Sequence, residues 1–117
     1  MFPTRIQLSK QTWDRLQFLQ TKTRLTPNVL ARIAIALALR DTQTAIINES
    51  KPDQLHVINR DVLFGGQEKA YEALIRQLCS EQKIDADPQS IVRSLIDSGL
   101  HKMGHTKTTS DLKFFFA

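Results

Sequence analysis

A chain of 117 residues, 41% hydrophobic and 24% charged, has the composition of one folded domain that buries roughly 65% of its unfolded surface. A lone cysteine, Cys79, excludes an intramolecular disulfide framework and fits a reducing compartment. The start, MFPTRIQLSK, is polar by its fifth residue and no apolar run approaches the ~20 residues of a membrane span, so the expectation is a single cytoplasmic domain over residues 1–117, with no secretory signal and no membrane partner.

The net charge of +4 is unevenly spread. Residues 1–44 carry Arg5, Lys10, Arg15, Lys22, Arg24, Arg32 and Arg40 against Asp14 and Asp41, a net of +5, while the remaining residues sum to −1. A basic excess confined to the first third suits a surface that meets a polyanion, although a solubilising face would leave the same trace.

In chain order, Arg5–Ser9 alternates apolar and polar residues, the period-2 pattern of a short strand. Ser9 is placed to cap a helix over Lys10–Thr23, with Trp13, Leu16 and Leu19 on its inner face and Arg15 and Lys22, seven apart, on another. Arg24–Leu25 turns the chain, and TPN opens a second helix with Thr26 as cap and Pro27 in the first turn, running to about Leu39. Residues 41–54 are polar around an apolar interruption and a proline, and are predicted as loop. LHVINRDVLFGG reads as a short hairpin or two strand fragments, Leu55–Ile58 and Val62–Phe64, with Asn59–Asp61 turning, released by the paired glycines. Gln67–Gln82 is a helix with Ala70, Tyr71, Leu74, Ile75 and Leu78 inward. Asp87 and Pro88 open the last helix, whose Ile91, Val92, Leu95 and Ile96 face the core until Gly99 or Gly104.

The two halves echo each other. WDRL and YEAL open the earlier helices, TPNVLAR and DPQSIVR the later ones, each with an arginine five residues after the proline. The fold class expected is therefore mainly α: a small helical bundle with a short β-hairpin or strand pair, in two strand-helix-turn-helix halves. Within it Val29–Leu39 has Arg32 as its one charge and is apolar on nearly every side, which places it either in the middle of a monomeric bundle or between subunits. The interface is the favoured of the two, because small domains seldom bury a helix completely.

The stretches RIQLSKQTWDRLQFLQTKTRLTPNVLARIAIALAL and HVINRDVLFGGQEKAYEALIRQL resemble the DndE family of DNA sulfur-modification proteins, over roughly residues 2–82. FPTRIQLS, TPNVLARIA and the NR…LFG segment are the specific parts, in this order and at this spacing. The resemblance implies a mainly helical DNA-binding protein that forms a homotetramer and prefers nicked duplex DNA. It implies partners as well, namely enzymes that replace a non-bridging phosphate oxygen with sulfur. Family proteins bind through basic side chains of the N-terminal region, which points to Arg5, Lys10, Arg15, Lys22 and Arg24. The chain departs from its relatives at Gln17 and Gln20, where lysine is frequent.

Catalytic patterns are thin. LFGGQEKA lacks the glycine-lysine-serine or -threonine ending of a phosphate-binding loop. His101 and His105 have helical metal-ligand spacing, but no acid or cysteine accompanies them. Cys79 reads as a small buried hydrophobe rather than a persulfide carrier, and Trp13 as core rather than a base-stacking residue. Asp85, Asp87 and Asp97 carry the carboxylates that strand cleavage with magnesium would use, but Asp87 is accounted for as a helix cap. No cofactor, metal or catalytic residue is assigned. The leading expectation is a non-catalytic accessory protein that binds nicked duplex DNA. The alternatives are a nicking enzyme of the same system, and a ribbon-helix-helix repressor in which Arg5 and Gln7 would read bases and the internal echo would make a single-chain version of the two-fold dimer.

Overall fold

The computed structural model describes residues 2–40, 47 and 55–103. Strand β1 (Arg5–Ser9) leads into helix α1 (Lys10–Thr23) and helix α2 (Pro27–Arg40). Strand β2 (Leu55–Asn59) leads into the short helix α3 (Arg60–Phe64), a 3₁₀ turn at Gly65–Gln67, helix α4 (Glu68–Gln82) and helix α5 (Pro88–Met103). The architecture is mainly helical with one two-stranded antiparallel sheet, as the patterning predicts.

The pairing of that sheet differs from the expected local hairpin. β2 pairs with β1, in the register Arg5↔Asn59, Ile6↔Ile58, Gln7↔Val57, Leu8↔His56 and Ser9↔Leu55. Val62–Phe64 belongs to α3 and is not a strand. The reason is local: the Asn59 side chain accepts the Asp61 backbone N–H at 2.8 Å, an N-cap that starts a helix where a turn was expected. Gly65, at φ +57°, then ends α3 in a conformation costly for any residue with a Cβ.

α2 and α5 are the central pair. Leu30, Ala31, Ala34, Ile35, Leu37 and Ala38 of α2 are buried, and α5 buries Ile91, Val92, Leu95, Ile96, Leu100 and Met103. A Cβ at Gly99 would lie 2.5 Å from the Ala34 Cα and collide with its carbonyl, so the two backbones meet there. Ala34 is fully buried inside its own chain, whereas Ile33, Ala36 and Leu39 of the same helix are only partly buried. Four neighbouring helices and the alanines that admit them surround α2 more completely than two helices and a hairpin could. Arg32, the one charge within Val29–Leu39, is used internally as well, since it donates from Nε to the Leu63 carbonyl at 2.7 Å and from Nη2 to the Val62 carbonyl at 3.2 Å. The guanidinium thereby satisfies carbonyls at the end of α3 that have no helical partner.

The helix starts follow the capping residues. Thr12 N–H donates to Ser9 Oγ at 3.1 Å, and Ser90 N–H donates to Asp87 Oδ1 at 2.9 Å. Thr26 caps α2 weakly, through a contact of 3.4 Å from Val29 N–H. α4 packs less closely than predicted: Ile75 and Leu78 are buried, but Ala70 is exposed and Leu74 is 50% exposed. The expected loop at 41–54, apart from Ile47, and the segment from Gly104 through Phe114–Phe116 lie outside the described residues.

Candidate nucleic-acid interface

The five basic residues singled out from the sequence occupy one continuous segment, β1 and α1 with its C-terminal cap, and all five are exposed. Arg5 opens β1 opposite Asn59. Lys10 starts α1 and approaches Asp14 at 3.9 Å, with both side chains more than half exposed, a pair worth little in water. Arg15 and Lys22 lie two turns apart on one side of the helix, about 10 Å along its axis. Leu16, Leu19, Thr12 and Thr23 form the buried stripe of the helix, which adjoins that side.

Phe18 lies between Arg15 and Lys22 on that exposed side and is 59% exposed, with the Lys22 ammonium 4.5 Å from its ring centroid. Its spacing of three and four residues from the two cations is a signal visible in the sequence. Trp13 is partly buried, as its helical register predicts, and stacks on His56 of β2, with ring centroids 5.1 Å apart and planes 8° apart. It closes the strand pair against α1.

Arg24 follows α1 in the left-handed region, φ 63° and ψ 16°, with its N–H donating to the Gln20 carbonyl at 2.8 Å. This position ordinarily favours glycine. Lys83 has the same role after α4, at φ 54° and ψ 43°, so each half carries a basic residue at a left-handed helix end. The correspondence extends further. Each strand ends in a residue that caps the next helix, Ser9 for α1 and Asn59 for α3, and each half finishes in one of the two central helices.

Other polar groups among the described residues tie the elements together. Arg60 donates to the Phe2 carbonyl at 3.0 Å and pairs with Glu68 at 3.3 Å, tying the N-terminal segment to α3 and α4. Thr12 donates to Asp97 and hydrogen-bonds Ser9, joining β1, α1 and α5. Burial pushes the Cys79 thiol pKa up, away from the thiolate that sulfur chemistry uses. Burial also raises Tyr71, partly offset by the Arg32 charge. Among the described residues no three His, Cys, Asp or Glu side chains cluster as a metal site; His105 lies outside them. No helix among the described residues is long and apolar enough to cross a membrane.

A two-stranded ribbon backed by paired helices, with a basic first strand and first helix, defines a small mainly helical protein built from two related halves. A match to the family described as DNA sulphur modification protein DndE covers residues 5–111. The chain belongs to the DndE family. The crystal structure of DndE from Escherichia coli B7A, involved in DNA phosphorothioation modification, is similar at a TM-score of 0.74 and 26% identity, over 88% of this chain and 98% of that one. The crystal structure of a glycine-to-lysine mutant of DndE, involved in DNA phosphorothioation, is similar at a TM-score of 0.73 and 25% identity, over 88% and 99%. No curated protein sequence gives a significant match.

Proposed function

We propose that this chain is a non-catalytic accessory protein of DNA phosphorothioation that holds duplex DNA, preferentially at nicks, through Arg5, Lys10, Arg15, Lys22 and Arg24. The observation that carries this reading is the exposure of all five cations along one β1–α1 segment in a member of the DndE family. Lysine and arginine on a shared surface neutralise phosphates and release counterions, a source of affinity that requires no base contact. A nick adds a flexible joint. Bending an intact site of 20–30 bp costs about 1–6 kcal/mol, and a protein that curves DNA over a basic surface avoids much of that cost at a break in one strand. The tetramer implied by the family resemblance would present several such surfaces together, and sedimentation of the purified chain tests that part separately.

The deciding experiment compares binding to nicked, intact and single-stranded DNA of identical sequence. Tighter binding to the nicked duplex, with all substrates recovered uncut, is the expected result. Conversion of supercoiled plasmid to open circle, dependent on magnesium and abolished by a point substitution in this chain, would replace it with the nicking enzyme.

A further inference from the structure

The register of the strand pair sorts its side chains onto two faces. Ile6, Leu8 and Ile58 point into the core, where α1 and α5 back the ribbon. Arg5, Gln7, Val57 and Asn59 alternate with them on the other face, in the cross-strand pairs Arg5↔Asn59 and Gln7↔Val57. Arg5, Val57 and Asn59 are exposed and Gln7 is half-buried. This outer face holds one cation, two amides and a branched apolar group, and no carboxylate. Lys10, also exposed, follows directly where β1 enters α1.

We propose that this face enters the major groove of duplex DNA and reads base edges. The proposal rests on the DNA-binding reading above and adds sequence recognition to it. The dimensions fit, because two strands about 4.8 Å apart form a ribbon that a groove about 12 Å wide admits. Five residues of strand extend about 17 Å, against a rise of about 3.4 Å per base pair, so the window is four or five base pairs. The chemistry fits too. A guanidinium matches the O6 and N7 acceptors of guanine, a glutamine amide matches N6 and N7 of adenine, and a valine methyl packs on the thymine methyl. Asn59 is already committed through Oδ1 to the Asp61 N–H, which leaves its amide hydrogens to donate outward.

The correspondence between halves supports a groove-reading ribbon rather than an incidental strand pair. One strand comes from each half, each runs into its own capped helix, and the central helices α2 and α5, one from each half, pack against each other. A single chain thus presents two antiparallel strands related as the strands of a two-fold ribbon are, but with different residues on each. The site it reads is therefore expected to be asymmetric.

The test is selection of intact duplexes from a library with a randomised central window, using the full chain, with affinity for nicked and intact duplex measured in parallel. The expected result is an enriched asymmetric motif of four or five base pairs, in which a single base change weakens binding by fivefold or more. Gln7→Ala and Val57→Ala, both on the outward face and outside the five phosphate-binding cations, should each flatten the motif at separate positions while binding to random duplex falls less than threefold. Circular dichroism of both variants checks that the fold is retained. Binding without enrichment, or an enriched motif that both variants reproduce unchanged, would overturn the ribbon proposal and leave nonspecific DNA binding standing. No binding to any duplex, nicked or intact, would remove both.

Discussion

Gly99 and Ala34 meet backbone to backbone at the crossing of α5 and α2, with no room between them for a methyl group. The small residues around this contact let two largely apolar helices approach closely. Gly99→Ala would place its Cβ against a main-chain carbonyl, which cannot change rotamer to make room. The cost should exceed about 3 kcal/mol, the upper end of ordinary overpacking, and should appear as a lowered urea midpoint. Ala34→Glu, which buries a carboxylate in the same place, should leave no folded monomer. A folded species of smaller assembly size would return Ala34 to a subunit interface.

Much of this arrangement was legible because each signal was local. Ser9 and Asp87 announced their helices by capping chemistry, and Ile91, Val92, Leu95 and Ile96 announced the inner face of α5 by period; all four are buried. The misreadings arose where the decisive partner is distant in sequence. The Asn59–Asp61 segment has turn-forming residues, but β1, more than fifty residues upstream, provides the pairing strand and Asn59 becomes a cap. Ala70 and Leu74 fit a helical period, yet α4 sits at the margin and meets the core mainly through Ile75, Leu78 and Tyr71. The basic segment was visible in the sequence as charge. Its outward face, and Phe18 within it, required knowing which side of α1 is buried.

Asp87 gives a pH dependence of defined sign. Hydrogen bonds from the Ser90 N–H and hydroxyl hold its carboxyl pKa below the ordinary 3.8. The unfolded chain therefore takes up the proton more readily than the folded one, so the cap contributes fully above pH 3.8 and is lost as the pH falls through the lower folded value. Asp87→Ala should cost about 1 kcal/mol at pH 7, and the difference from the parent should narrow below about pH 4. Urea titrations at pH 7 and pH 3 measure this; an equal difference at both would assign the effect to helix packing instead of the carboxylate.

Arg24 holds a left-handed conformation, φ 63°, in which glycine is the favoured residue at a helix end. Arg24→Gly should stabilise the chain by about 0.5–1 kcal/mol and at the same time weaken DNA binding. Arg24→Lys retains the charge and the strain, so it should change neither quantity appreciably. If the glycine variant gains stability without losing affinity, Arg24 does not contact the DNA.

Arg15 and Lys22 bear most directly on the proposed function, because they share an exposed side of α1 and, among the described residues, neither forms a salt bridge with an acid. Lys22 sits over the Phe18 ring, an attraction that orients the ammonium without neutralising it. If each touches one phosphate, replacing both by alanine removes two counterion-releasing contacts. The slope of log affinity against log salt should then fall by about 2, equally for nicked and intact duplex and for every sequence. Stability should change by less than about 0.5 kcal/mol, since both side chains project into water. Fluorescence anisotropy between 50 and 200 mM salt reads the slope, and the ratio of nicked to intact affinity serves as an internal control. A slope unchanged in the double variant would mean that α1 is a solvated face and that any DNA contact lies elsewhere.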